Sequence, residues 1–519
     1  MNLSFTQFGV FLALPAAIAL ATYWACRGSG TRGDGIGGEK DYFLAGGGLK
    51  WYFVAGSITL TNLSTDQLVG MNGAQMALLA WWELAAVFGL LMLTFIFIPV
   101  YYKYNCTTTT ELLEKRYNNP HIRALISILF LLGNIFIFLP AILYGGSLFM
   151  LNLFGLDFGF ELFGQDGDIY ILAIIFALIG SAYAIFGGLR AVAVSDTFSG
   201  ILLLGLAITV TLIALNAIGW DFSGIPKERL TLIGAPDSDI PFATLFTGMI
   251  FIQMFYWSTN QTITQRAMAS PSVGEAQKGI LGAAAIRLLI IPPIIVLPGI
   301  VAFKLYGDIG DATYGRLVGD ILPSFLSGAF AAAIAAAVLT TFNSILNASA
   351  ALWVMDIHET YVNKRPNVRR LSLWVSVVMV LLGFAMIPIF NNPEQSIIDT
   401  VQRLYGLLSM PILSAFIVGL LFRNVSAWAM IVAVFYGVLF YGLVTTPFGQ
   451  TIMNRLGASL SIEALMNDIK AVHYIHMMAL TLISSVGLAL VLSFLFGQKP
   501  VWDAHNVFSR KPLREDAVT

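Results

Sequence analysis

TNLSTDQLVG, residues 61–70, lies within an apolar stretch that runs from about Trp51 to Leu79. Thr61, Asn62, Ser64, Thr65, Asp66 and Gln67 crowd the middle of a segment long enough to cross a bilayer. Polar groups unpaired in hydrocarbon cost several kcal/mol each, so such a cluster survives only where protein or a hydrated cavity receives it. The stretch predicts a membrane helix interrupted at its midpoint and turned toward a cavity.

The rest of the chain supports that reading. It is 57% hydrophobic and only 11% charged, with a mean hydropathy of +0.80, which excludes an ordinary soluble domain. Charges collect between apolar runs near residues 7–26, 51–79, 82–102, 123–150, 170–187, 196–218, 243–265, 279–304, 318–353, 371–391, 396–422, 426–446 and 474–496. These thirteen runs have the length of membrane helices, not the ten-residue alternation of a barrel strand. The expected fold is therefore all-α and polytopic. The first run has no basic leader or small-residue cleavage site and is expected to be a retained helix. Cys26 and Cys106, the only cysteines, are expected to be free thiols near the membrane surface.

Basic residues cluster in alternate loops: Lys115, Arg116 and Arg123 in one, Lys364, Arg365, Arg369 and Arg370 in another, with Arg266 and Lys278 between. The opposite loops hold only Lys227, Arg229, Lys304, Arg316, Arg455 and Lys470. The positive-inside bias predicts an outer N-terminus and a cytoplasmic C-terminus, in a bacterial-type inner membrane. Arg287 and Arg403 fall inside predicted spans. Each either snorkels to the surface or faces a polar cavity.

Segments 2–6 (51–218) and 7–11 (243–422) form two groups of five, and an odd number makes the second group enter from the opposite side, as an inverted repeat requires. Residues 1–50 and 423–519 would be peripheral to this single transporter domain. Segment 7 holds FIQMFYWSTNQ (251–261) at the place that corresponds to TNLSTDQLVG. Paired interruptions at corresponding positions point to a midplane site in a secondary transporter.

Several residues invite two readings. Thr340 and Thr341 follow an alanine-rich run and either bond carbonyls one turn back or, with the Ala337 carbonyl, present neutral oxygens to a small hard cation. Glu83 is either interfacial or inside a site, and Asp196 is either a helix N-terminal residue or functional. Trp82, Tyr256 and Trp257 adjoin the polar interruptions, and a ring beside polar groups suits the C–H face of a sugar. No nucleotide-binding, metal-cluster or hydrolase motif is present, so coupling to an ion gradient is expected and enzymatic activity is not.

DYFLAGGGLKW (41–51), TNLSTDQLVGMNG (61–73), Trp82-Glu83, EKRYN (114–118), GGLRA (187–191), YWSTNQ with QRAMAS (256–270), EAQKG (275–279), VLPGI (296–300) and LNASA with MDI (346–357) together resemble the sodium:solute symporter family. The likeness is greatest to its bacterial sodium/sugar branch. It implies inverted five-helix repeats of the leucine-transporter type and alternating access. By position, it implies a sodium site made by the carbonyls of Leu60, Leu63 and Ala337 and the hydroxyls of Thr340 and Thr341, assisted by Asp196. It implies sugar contacts from Gln67, Glu83, Gln253, Arg287 and Gln402, with Asn62 and Trp257 as neighbours, Tyr256 as inner gate and Met71 and Trp82 as outer cover. Threonines replace the commoner serines of the sodium site, Gln253 replaces Asn or Thr, and Arg287 replaces Lys.

The expected activity is sodium-coupled uptake of a hexose-like sugar. The expected partners are the sugar, sodium ions and the lipid bilayer, with no nucleic acid and no obligate protein partner. Arg287 motivates an alternative, an anionic sugar or other carboxylate. A sensor or channel on the same fold is the alternative from another class. Asp66 is expected to face away from the substrate, into protein.

Overall fold

The computed structural model describes residues 5–26, 42–162, 165–364, 366–391, 396–460 and 463–508. Asp41, the basic residues Arg27, Arg32, Lys40, Arg365, Arg510, Lys511 and Arg514, and the tail beyond Phe508 lie outside them, as do the side chains of residues 181–188.

Among the described residues, ten helical spans are long and apolar enough to cross a membrane: α1 (Phe5–Cys26), α3 (Ala77–Lys103), α4 (Pro120–Phe154), the second half of α5 (Leu189–Ala217), Val273–Tyr306, α10 (Ser324–Tyr361), α11 (Val368–Ile389), α12 (Ile397–Leu421), α13 (Ala427–Thr445) and α14 (Tyr474–Leu495). The three further expected crossings are the shorter first half of α5 (Asp168–Gly180) and the two interrupted helices. The first of these is α2 (Trp51–Asn62), which ends at Leu63 and resumes as a π-helix over Asp66–Met71. The second is α6 (Gly248–Ser258), followed after Thr259 and Asn260 by α7 (Gln261–Met268). Val273–Tyr306 is itself jointed into α8 (Val273–Leu289) and α9 (Ile291–Tyr306), where Pro292 cannot donate an intrahelical hydrogen bond.

Some boundaries differ from expectation. The fifth and sixth segments share one helical assignment, Asp168–Ala217, so Asp196 stands in mid-helix and does not cap one. Helices Pro447–Leu460 and Glu463–Ala471 lie between α13 and α14, where amphipathic sequence was read as loop. Two short antiparallel ribbons also form. One pairs Phe422 with Trp502 and Arg423 with Val501, tying the segment after α14 to the end of α12.

Packing follows side-chain size. The alanine-rich face of α10 is buried against α1, α5, α4 and α2, because small side chains let helix backbones approach when no aqueous hydrophobic force drives them together. Gly279 brings α8 against α2: a Cβ there would stand 2.8 Å from the Trp51 carbonyl oxygen and 2.6 Å from Val54 Cβ. Gly89 does the same for α3 and α6, where a Cβ would lie 2.3 Å from the Gln253 carbonyl oxygen. Large apolar side chains such as Leu178, Ile201, Leu381, Leu439 and Phe494 point outward, as a bilayer permits. Neither cysteine forms a disulfide; Cys106 is buried.

Candidate functional site

The two interruptions face each other. At the first, Leu63 leaves helical geometry (φ −76°, ψ 73°), and the Ser64 amide turns back to the Asn62 carbonyl at 2.8 Å. At the second, Asn260 is extended; its side chain accepts from the Thr262 amide at 2.9 Å, capping α7, and donates to the Tyr405 hydroxyl at 3.1 Å. Breaking both helices at one depth turns Asn62, Gln67, Gln253 and Tyr256 toward a common interior.

There they enclose a cavity of about 50 Å³. Asn62, Gln67, Met71, Trp82, Glu83, Gln253, Tyr256, Trp257 and Gln402, which the family resemblance implies as substrate contacts, all line it. The volume is far below the roughly 300–1,000 Å³ of ordinary ligand sites, so the walls are closed on themselves. Gln67 Nε2 donates to Glu83 Oε1 at 2.5 Å and to Asn62 Oδ1 at 3.1 Å, and Asn62 Nδ2 donates to the Tyr256 hydroxyl at 2.8 Å. Gln253 Nε2 donates to the Trp82 carbonyl at 2.8 Å, and Gln253 Oε1 accepts from Trp257 Nε1 at 2.9 Å. An entering ligand with several hydroxyls would exchange these bonds for its own.

Arg287 stands apart from the cavity wall. Its guanidinium donates to Glu83 Oε2 and, at 3.2 Å, to the Thr59 carbonyl, and lies 4.6 Å over the Trp257 ring. It is fully buried, and Glu83 is 1% exposed, so neither snorkels and Glu83 is not interfacial. Arg403, by contrast, is half-exposed; it donates to Asp399 one turn earlier at 2.7 Å and lies over Tyr474. It takes no part in the cavity wall.

Leu60, Leu63 and Ala337, the expected backbone sodium ligands, are fully buried where α2 meets α10. The Thr340 hydroxyl donates to the Ala337 carbonyl at 3.2 Å. The Thr341 hydroxyl, on a residue only 4% exposed, has no hydrogen-bond partner. An orphaned buried hydroxyl at the break of α2 fits a hard cation that takes oxygen ligands. Asp196 is occupied otherwise. It accepts from Ser57 at 2.6 Å and Thr61 at 3.3 Å, and Arg266 lies 3.6 Å away. Both members of that ion pair are fully buried. Arg266, assigned from sequence to a positive inner loop, is instead an interior residue of α7, which also donates to Ser57 at 2.7 Å and to Ser344.

Two features escaped the sequence reading. Asp66 borders this cavity, contrary to the expectation that it faces away from it into protein. The turn at Leu63 and the π-helix that follows rotate it there, and a regular helical wheel carries no signal for that rotation. Farther along, Asp356 is fully buried and accepts from Thr108 at 2.8 Å, from Thr110 and Ser127, and from Arg123 at 2.7 Å. This network joins the loop before EKRYN, α4 and the end of α10. The Asp lies inside the quoted MDI motif, but its partners are more than 200 residues away.

Residues 42–437 match the sodium:solute symporter family. The chain is 34% identical over 452 residues to "Uncharacterized symporter YidK" of Escherichia coli (strain K12), spanning 83% of this chain and 77% of that protein. It is 29% identical over 478 residues to a sodium/glucose cotransporter of Vibrio parahaemolyticus, covering 83% and 84% of the two chains. In three dimensions it is similar to a Na+-coupled sialic acid symporter in a substrate-bound outward-open state, with a TM-score of 0.75, 18% identity and coverage of 95% and 98%. A fainter likeness, TM-score 0.50 at 15% identity over 86% and 97% of the chains, links it to MhsT in complex with L-phenylalanine. These likenesses support the leucine-transporter fold with its inverted repeats. The chain belongs to the sodium:solute symporter family and is a multi-pass, sodium-coupled solute symporter, not an enzyme.

Proposed function

We propose that this symporter couples inward sodium flow to uptake of an uncharged, hexose-like sugar, with its N-terminus outside and its C-terminus in the cytoplasm of a bacterial-type inner membrane. The observation that carries the reading is the pairing of Arg287 with Glu83. With that cation matched by a carboxylate, the wall offers a ligand the amides of Gln67, Gln253, Gln402 and Asn62 and the Tyr256 phenol, with the Glu83 and Asp66 carboxylates, beside the rings of Trp82 and Trp257. Amides and hydroxyls exchange hydrogen bonds with sugar hydroxyls, and the rings take its C–H face. An anionic substrate would need Arg287 unpaired, or would face the Glu83 charge. The glucose transport named for the Vibrio parahaemolyticus relative supports the same substrate class.

Sodium between α2 and α10 would hold the broken helix in the geometry that presents Gln67, so sodium favours sugar binding and, by linkage, sugar favours sodium equally. Rocking of the bundle then opens the site inward, where low sodium releases both. The test is uptake of radiolabelled hexoses and hexuronates into proteoliposomes with and without an inward sodium gradient. Accumulation of a neutral hexose only with the gradient is expected. Flux independent of sodium would sink the coupling, and uptake confined to the uronates would overturn the substrate class.

A further inference from the structure

Beneath the substrate cavity lies a second void of about 20 Å³, bordered by Ser64, Asp66, Asn260, Thr262 and Thr341. A void needs at least about 10–15 Å³ to hold one water-sized guest, so this one admits a single such particle. Its lining is unusual for the middle of a membrane bundle: one carboxylate and several hydroxyls. The orphaned Thr341 hydroxyl belongs to this lining, on the α10 side. Ser64 belongs to it on the α2 side and donates to Asp66 Oδ1.

The charges around the void are unequal. Of the nearby buried cations, Arg287 is matched to Glu83 and Arg266 to Asp196. Asp66 has no ion-pair partner among the described residues, although a carboxylate in low dielectric is costly unless paired. Asp196, expected to assist sodium, already has its countercharge.

We propose that Asp66 supplies the negative charge of the sodium site, the ion sitting in the void between Asp66, Ser64 and Thr341. This rests on the sodium-coupled reading and changes the expected ligand set, which contained only neutral oxygens beside Asp196. Because Asp66 borders both spaces, an ion held there also fixes the floor of the substrate cavity.

The test is ²²Na⁺ binding to the purified full chain in detergent. Asp66→Asn is expected to weaken sodium affinity at least about tenfold, since it removes the ion's charged ligand, and Asp66→Glu to retain most of it. Ser64→Ala keeps the Asp66 charge and removes one hydroxyl of the site, and is expected to weaken binding about threefold or more. It decides the matter should Asp66→Asn fail to elute as a monodisperse peak. Unchanged affinity in a folded Asp66→Asn, or in Ser64→Ala if the first does not fold, overturns the assignment of Asp66 while leaving sodium coupling standing. Failure of the unsubstituted chain to bind ²²Na⁺ overturns both.

Discussion

Separating Arg287 from Glu83 provides a quantitative test of how the substrate site is held. Both groups lie in the bundle interior, at 0% and 1% exposure. At a charge separation of about 4 Å and an effective dielectric of about 20, their attraction is about 4 kcal/mol. Glu83→Gln leaves the guanidinium with only the Thr59 carbonyl and the Trp257 ring. Arg287→Gln leaves the carboxylate with only the Gln67 amide. Removing one partner of a buried pair typically costs about 3–5 kcal/mol, of the same size as the pair attraction, because the survivor stays desolvated. Replacing both with glutamine removes both charges, so the double variant is expected to be more stable than either single one, with a coupling energy of about 2 kcal/mol or more. SDS-induced unfolding in mixed micelles, followed by tryptophan fluorescence, measures all four proteins. Sugar uptake should fall in Glu83→Gln and in the double variant, because Gln67 loses its carboxylate anchor. Single variants as stable as the unsubstituted protein, or a double variant whose loss equals the sum of the singles, would refute the assignment of the pair.

Two further outcomes follow from the geometry. Gly89→Ala would drive a methyl group into the Gln253 carbonyl and against Trp257, so α3 and α6 must part; a stability loss of about 1–3 kcal/mol is expected in the same unfolding assay, with a loss of sugar affinity. Asp311, in the loop before α10, accepts from the Ile397 amide at 2.9 Å at the start of α12, and burial pushes its carboxyl up to about 7. Its folded pKa thus exceeds its unfolded value of 3.8, so its stabilising contribution is complete below that lower value and is lost as pH rises through about 7. Melting curves between pH 5 and 8 should show stability rising on acidification, and Asp311→Asn should flatten that slope; an unchanged slope would remove Asp311 as its source.

The main legible signals were local. Apolar runs revealed the crossings because hydrocarbon tolerates nothing else over that length. The polar clusters at TNLSTDQLVG and FIQMFYWSTNQ revealed the breaks for the same reason, and nine of the ten substrate residues that the family resemblance implies line one cavity. The tenth, Arg287, which the sequence leaves either snorkelling or facing a polar cavity, is paired with Glu83 instead. The two interrupted helices read as full-length apolar runs in the sequence, but their breaks leave helices of only 12 and 11 residues.

TNLSTDQLVG by itself determined that its helix breaks and faces a polar interior, because unpaired polar groups cannot face lipid. Which group meets which was left to the folded bundle. Glu83 finds Arg287 across 204 residues and Asp196 finds Arg266 across 70, two cations drawn into pairs, while Asp66 is turned by a π-helical segment toward a cavity it was expected to avoid. Charge compensation in low dielectric is set by distances of a few ångströms between separate helices, and only their packing brings those groups together.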